Sequence, residues 1–152
     1  MTRTTILIAE DSDDDFFLLD RACLKAGINV RLIQVKDGEE AINYLAGKSQ
    51  FADRAAYPFP GLLLLDLKMP KLNGFAVLEW LQQQPGLRRL IVAVLTSSTA
   101  PADINRAYDL GANSYLAKPS SANGYVELAE KLRGYWLELN HPPDCTGISS
   151  VP

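Results

Sequence analysis

The chain has 152 residues, of which 47% are hydrophobic and 22% are charged, and its net charge is −3 at pH 7. These values are ordinary for one globular domain, and they provide no basic surface for nucleic acid or anionic lipid. Charged residues interrupt the apolar runs well before they could cross a bilayer, and residues 1–3 show no signal-peptide pattern. We therefore expect a cytoplasmic protein that binds neither nucleic acid nor membrane.

Five apolar or β-branched segments are predicted to be strands, in chain order residues 4–9, 30–35, 62–65, 90–95 and 113–117. The third and fourth are unbroken apolar runs, which is typical of strands covered on both faces of a parallel sheet. Apolar residues at helical spacing follow each strand, within residues 16–26, 41–46, 75–81, 101–107 and 125–139. Strands that alternate with helices predict a right-handed, doubly wound α/β fold with a five-stranded parallel sheet.

Some local signals complete this prediction. Ser12 and Asp15 show the pattern of a capping box at the start of the first helix. Residues 48–60 contain two prolines and no sustained periodicity, so we expect an irregular excursion with at most one short helical turn around residues 51–55. Half of residues 141–152 are proline, glycine or serine, which predicts a C-terminal tail after a domain that spans residues 1–140.

The cysteines and the single histidine do not suggest a site of their own. Cys23 and Cys145 lie far apart in the sequence, which favours two free thiols over a disulfide framework or a metal site. His141 is the only histidine and belongs to the predicted tail, so we expect a surface residue and not a phosphate carrier.

Charged and polar residues stand at the carboxyl ends of four predicted strands: Glu10, Asp11, Asp66, Thr96 and Lys118. These ends meet at one edge of a parallel sheet, where ligands bind in open α/β folds. Three carboxylates held close together need a cation, and an all-oxygen ligand set suits Mg²⁺. A metal beside Asp66 could bring in a phosphoryl donor, which makes Asp66 a candidate nucleophile that forms an aspartyl phosphate.

With these residues in place, the chain resembles the receiver domains of two-component response regulators. The matching positions are the acidic pair Glu10-Asp11, the phosphoacceptor segment Asp66 with Met69-Pro70 and Gly74, the signalling hydroxyl Thr96, the aromatic switch Tyr115 and the pair Lys118-Pro119. Thr96 follows Asp66 by 30 positions and Lys118 follows Thr96 by 22, and both intervals are usual in that family. The resemblance extends over about residues 4–140.

The resemblance implies a flavodoxin-like (βα)5 fold with strand order 2-1-3-4-5. It also implies that Asp66 accepts a phosphoryl group from a sensor histidine kinase. Metal ligation is expected from Asp11 and Asp66 directly, from Glu10 through water and from the backbone carbonyl of Lys68. The other implied roles are a switch formed by Thr96 and Tyr115, which changes the surface of the fourth helix, fifth strand and fifth helix, and a cis peptide bond before Pro119.

Weaker features resemble single-domain regulators that partner phytochrome-type and related sensor kinases. Asp66 follows Asp11 by 55 positions, more than in the shortest receivers, and the excess fits the 48–60 excursion. Because no DNA-binding module follows, we expect output through contact with an unknown downstream protein or onward phosphoryl transfer. Tyr135, Trp136 and Leu139 are candidates for a homodimer surface, with packing against neighbouring elements more expected for Tyr135 and less for Trp136.

Two other function classes stay open at this stage. A hydrolase with an aspartyl-phosphate intermediate commonly has a second acid two residues after the nucleophile, where this chain has Lys68. A receiver-like interaction module that is never phosphorylated would have no need of the five polar strand-end residues. Tyr115 also has a structural alternative, a half-exposed strand aromatic without a switching role. We expect a phosphoacceptor signalling protein and not an enzyme.

Overall fold

The computed structural model describes residues 4–145, which form one parallel sheet with helices on both faces. The strands are β1 Thr5–Ala9, β2 Arg31–Val35, β3 Leu62–Leu65, β4 Ile91–Thr96 and β5 Ser114–Ala117. The α-helices are α1 Asp13–Lys25, α2 Gly38–Ala46, α3 Gly74–Gln82, α4 Pro101–Asp109 and α5 Ala122–Leu132. Strand ends differ from the predicted ones by at most one residue, which is the usual uncertainty of element boundaries.

The sheet order is β2-β1-β3-β4-β5, so the predicted order and parallel topology are confirmed. Ala9 pairs with both Val35 and Leu65, and Thr96 pairs with Ala117. This register aligns the carboxyl ends of the strands at one edge. The residues that follow β1, β3 and β5 therefore emerge side by side, as the strand-end argument requires.

The side chains of each strand alternate between two apolar cores, one on each face of the sheet. In β1, Ile6 and Ile8 pack with α1 and α5, whereas Leu7 and Ala9 pack on the opposite face with the aliphatic side chains of α2 and α3. All four leucines of β3 are buried, because this central strand is covered on both faces. The cores thus hold the strand ends, and the loops after them, in place.

The 48–60 excursion is more ordered than predicted. Its one short helical turn is a 3₁₀ turn at Ser49–Phe51, not around residues 51–55. Phe51 and Tyr57 pack edge-on, with their ring centroids 5.2 Å apart, and both contact the buried ring of Tyr44. The Arg54 guanidinium donates hydrogen bonds to backbone carbonyls of α2 and of the excursion itself. The conformation of this segment therefore depends on aromatic packing against α2, which no local sequence signal predicts.

The last helix continues past α5 as a π-helix, Arg133–Leu139. Within it the expected order of burial is reversed: Trp136 packs partly buried against the α1/α5 core, whereas Tyr135 is 52% exposed and Leu139 is also exposed. The wider π turns change which side chains face the core, and helical periodicity does not anticipate this change. The predicted tail is described as far as Cys145; its later residues lie outside the described residues, and His141 is exposed.

None of the helices within residues 4–145 has the length and apolar character needed to cross a bilayer. Both cysteines are free thiols, as predicted.

The two thiols are expected to differ in reactivity. Cys23 lies on the buried face of α1, and burial raises the pKa of its thiol to about 11, with a smaller contribution from the charge of Asp20. A raised pKa keeps the thiol protonated, and the thiolate is the reactive form. With a chromogenic disulfide reagent at about pH 8, we expect one modified thiol per native chain, the partly buried Cys145, and two after denaturation. Equal rates for both thiols in the native protein would contradict this expectation.

Candidate metal and phosphoryl site

Three carboxylates meet at the carboxyl ends of β1 and β3. Glu10 and Asp11 follow β1 and Asp66 follows β3, and one carboxylate oxygen of each lies within 4.8 Å of the others. Glu10 and Asp66 are buried, whereas Asp11 is exposed and keeps one side of the group open to solvent. A compact set of oxygen ligands with room for water is the arrangement that Mg²⁺ prefers. The residues present therefore fit the predicted ion.

Lys118, which follows β5, reaches into this group. Its Nζ lies 2.5 Å from Glu10 Oε1, 2.8 Å from Asp66 Oδ2 and 2.9 Å from Asp15 Oδ2. Burial by itself lowers the pKa of the ammonium, but the hydrogen bonds to Asp66, Glu10 and Asp15 outweigh it, so the net pKa is raised. Lys118 is therefore a cation at any physiological pH.

The carboxylates still carry more negative charge than this one ammonium neutralises. Burial raises the pKa of Glu10, and the charge of Asp66 acts in the same direction, while the Lys118 ammonium opposes both. A carboxyl group with a raised pKa gains from a further positive charge nearby. The excess negative charge of the site thus favours binding of a divalent cation, either alone or together with an arriving group.

The loop between β3 and α3 holds Asp66 in place from the other side. The backbone N–H of Lys68 donates to Asp66 Oδ1 at 3.2 Å, and the N–H of Gly74 donates to Leu67 O at 3.0 Å. Asn73 caps α3 by accepting from the N–H of Ala76 at 3.0 Å. The two oxygens of Asp66 thus have different partners, a backbone N–H for Oδ1 and the Lys118 ammonium for Oδ2.

The start of α2 supports the same loop. The N–H of Gly38 donates to Leu72 O at 2.9 Å, and a Cβ at Gly38 would lie 2.1 Å from that oxygen. Close approach of the two backbones therefore requires glycine at this position. Lys71 adopts φ +62° in the loop and lies 3.7 Å from Asp37, the N-cap of α2. The loop between β3 and α3 is thus held between the start of α2 and its own helix α3.

Thr96 and Tyr115 lie on the strands beside this group. Thr96 is the last residue of β4 and fully buried, and its hydroxyl oxygen has no hydrogen-bond partner among residues 4–145. Tyr115 is half-buried, and its hydroxyl donates to Ser98 O at 2.8 Å. Ser98 Oγ in turn donates to Asp103 Oδ2 at 2.6 Å, which ties this loop to the first turn of α4.

The sequence-predicted residues thus fall into two sets. Glu10, Asp11, Asp66 and Lys118 come together at the sheet edge, with Thr96 on the neighbouring strand end and Tyr115 one strand further out. The metal role of the Lys68 carbonyl stays a prediction.

The expectation of a cis bond before Pro119 is wrong. No cis peptide bond occurs among the described residues, so the Lys118–Pro119 bond is trans. Trans is the lower-energy form of an X–Pro bond in the absence of opposing packing. Here Gly124 leaves room for the ring, since a Cβ at that position would lie 2.7 Å from Pro119 Cβ.

Sequence reasoning missed one residue of the site, Asp15. The sequence pattern assigns it to a capping box, yet its carboxylate contacts Lys118. No local signal predicts this contact, because Lys118 lies 103 positions later in the chain.

Comparison with known proteins places the chain in a family. Residues 6–130 match the family described as the response regulator receiver domain. The chain is 36% identical over 138 residues to the probable methanogenesis regulatory protein FilR2 of Methanothrix harundinacea, covering 91% of this chain and 86% of FilR2. Over 133 residues it is 34% identical to the response regulator Rcp1 of Synechocystis sp., covering 88% of each chain.

Solved structures agree in fold. The phosphorylated cyanobacterial phytochrome response regulator RcpA superposes with a TM-score of 0.86 at 30% identity, covering 94% of this chain and 100% of RcpA. The Mn²⁺-bound form of Rcp1 superposes with a TM-score of 0.83 at 33% identity, covering 93% and 99%. Members of the family are signalling phosphoacceptors and generally not enzymes, and they bind Mg²⁺ or Mn²⁺ at an acidic pocket. The chain therefore belongs to the response regulator receiver domain family and is a two-component response regulator.

Proposed function

We propose that Asp66 accepts a phosphoryl group from a sensor histidine kinase, with Mg²⁺ held by Asp11, Asp66 and the Lys68 carbonyl directly and by Glu10 through water. The observation that carries this proposal is the central position of Asp66. Its carboxylate contacts the Lys118 ammonium at 2.8 Å and lies within 4.8 Å of the Glu10 and Asp11 carboxylate oxygens. Glu10 shares the buried position, the Lys118 contact and the two neighbouring acids, so the choice of Asp66 rests on its place after the central strand β3, next to the strand β4 that ends at Thr96.

In the transfer step, a carboxylate oxygen of Asp66 forms a bond to phosphorus while the bond from phosphorus to the kinase imidazole nitrogen breaks. The imidazole leaves with the electron pair, and the product is an acyl phosphate on Asp66. Lys118 donates to a phosphoryl oxygen as charge builds on it, and Mg²⁺, when bound beside Asp66, would supply the remaining neutralisation. Positioning and charge neutralisation account for most of such catalysis.

We propose that Thr96 and Tyr115 carry the signal outward. The Thr96 hydroxyl is buried and has no hydrogen-bond partner among residues 4–145. This supports a role for it as a donor to a phosphoryl oxygen. Movement of Thr96 would pull the loop that carries Ser98. The Tyr115 hydroxyl is hydrogen-bonded to the Ser98 carbonyl in this loop. The surface formed by α4, β5 and α5 would then change for an unknown downstream protein.

We propose a phytochrome-type sensor kinase as the phosphoryl donor. The likeness to RcpA, a phytochrome response regulator, supports this choice, whereas FilR2 is named for methanogenesis. The predicted cytoplasmic location would agree with such a partner.

The predicted homodimer also stays a proposal, supported by the exposure of Tyr135 and Leu139 on the π-helix. Sedimentation of the parent beside a Tyr135→Ser/Leu139→Ser double variant would test it. A smaller assembly is expected for the variant, and identical sedimentation of the two as monomers would contradict the dimer.

The test of the phosphoacceptor is intact mass after incubation with Mg²⁺ and acetyl phosphate, for the parent and for Asp66→Asn. We expect one phosphoryl adduct in the parent and none in the variant. Asp53→Asn, an exposed acid in the 48–60 excursion, is the matched control and is expected to behave as the parent. An adduct that persists in Asp66→Asn would overturn the assignment. If the folded parent forms none, a histidine kinase donor replaces acetyl phosphate, and failure with both donors would overturn the proposed function.

A further inference from the structure

We propose that Asp15 is a positioning residue for phosphoryl transfer, which holds the Lys118 ammonium in the direction of Asp66. This inference rests on the proposed function of Asp66. Its basis is the 2.9 Å contact between Asp15 Oδ2 and Lys118 Nζ, made across the site from the first turn of α1. Asp15 does not belong to the metal-binding group of Glu10, Asp11 and Asp66.

The local structure of α1 releases Asp15 from the role that its sequence position predicts. In a capping box, the third helical residue accepts a hydrogen bond from the N–H of the N-cap. Here the N–H of Ser12 donates to Glu10 Oε2 at 3.2 Å instead. Asp15 keeps only the backbone half of the motif, since its own N–H donates to Ser12 Oγ at 3.2 Å. Its carboxylate is therefore turned to Lys118 on an anchored helix end.

The geometry of the ammonium explains why this contact matters. Lysine has three N–H donors on a flexible four-carbon stem. In this structure Glu10, Asp15 and Asp66 occupy them from three directions. With two donors held by Glu10 and Asp15, the third is directed at Asp66, where the phosphoryl group arrives. Loss of the Asp15 contact leaves one donor without its partner and lets the ammonium pivot away from the site.

The surroundings strengthen the contact. The side chains of Glu10 and Asp66 are 7% and 6% exposed and that of Lys118 is 13% exposed. A small cavity beneath the group is lined by Asp15, by both of these acids and by the buried ring of Tyr125. The Asp15 side chain is itself 34% exposed, but the ammonium that it contacts lies where solvent screening is weaker than at the surface. Its loss therefore changes the ammonium more than the loss of a fully exposed acid.

The test compares phosphorylation by acetyl phosphate at saturating Mg²⁺ in the parent, Asp15→Ala, Asp15→Asn and Asp14→Ala. Asp14 is the adjacent exposed residue in the same first turn, so its removal controls for helix charge. We expect the rate at saturating donor to fall about tenfold in Asp15→Ala, the effect of one charge-assisted hydrogen bond. Asp15→Asn keeps an acceptor oxygen and is expected to lie between Asp15→Ala and the parent, with Asp14→Ala unchanged.

Two further readouts separate positioning from a structural or metal role. Mg²⁺ affinity, measured by calorimetry, is expected to be the same in Asp15→Ala and the parent. A parent that is phosphorylated while both Asp15 variants match its rate would overturn the inference and leave the proposed function intact. An equal loss in Asp14→Ala, or a parallel loss of Mg²⁺ affinity, would overturn it as well. If Asp15→Ala does not fold, the phosphorylation rate of the isosteric Asp15→Asn is compared with that of Asp14→Asn instead. A parent without any adduct would instead contradict the proposed function.

Discussion

Replacing Lys118 with methionine is expected to lower the free energy of unfolding by about 3–5 kcal/mol in the absence of Mg²⁺, the usual cost of removing one partner of a buried ion pair. The methionine keeps most of the apolar stem, so the loss reports the ammonium. Without it, the Glu10, Asp15 and Asp66 carboxylates face one another with no cation between them. Carboxylates that are close enough to contact the same ammonium repel one another strongly once it is removed, because solvent screening is weak there.

Urea unfolding with a chelator and with excess Mg²⁺ measures this effect. We expect Mg²⁺ to stabilise the variant more than the parent, because the ion replaces the lost positive charge. Lys71→Met is the control: Lys71 is exposed, its ion-pair distances are 3.7 and 3.9 Å, and its removal is expected to change stability by less than about 1 kcal/mol. Equal losses in the two variants, or an Mg²⁺ effect identical to that of the parent, would contradict the ion-pair explanation.

Replacing Gly74 with alanine is expected to destabilise the protein by about 3 kcal/mol, at the upper end of overpacking effects, and to slow phosphorylation of Asp66. A Cβ at this position would lie 2.4 Å from Asp66 O and 2.8 Å from Leu67 Cα. Both are backbone atoms, so relief requires movement of the loop that carries Asp66. The same substitution therefore disturbs stability and chemistry together.

Thermal unfolding and the acetyl phosphate rate measure the two effects of the Gly74 substitution. Gly86→Ala is the matched control, because no atom lies within 4 Å of a Cβ at that position, and a change within about 0.5 kcal/mol is expected. A Gly74→Ala protein that is as stable and as rapidly phosphorylated as Gly86→Ala would contradict this prediction. It would show that the loop between β3 and α3 can move to accommodate the Cβ at little cost.

The parts of the site that were predictable follow from rules that act over short stretches of sequence. The unbroken leucines of β3 indicate a strand covered on both faces, and the residue after such a strand must emerge at the carboxyl edge of the sheet. The same rule applied to β1 and β5 brings Glu10, Asp11 and Lys118 to Asp66. Family resemblance added the strand order and the role of each metal ligand, which periodicity alone does not provide.

The sequence by itself therefore determined the parallel α/β fold, the strand ends within one residue and the acid, hydroxyl and lysine set. Only the tertiary structure decided that Asp15 leaves its capping role for Lys118, because that contact spans 103 positions of the chain. It also decided that Trp136 is the partly buried aromatic of the π-helix, and that the 48–60 excursion packs on Tyr44. These outcomes depend on which side chains compete for the same partner or space, and local spacing carries no information about that competition.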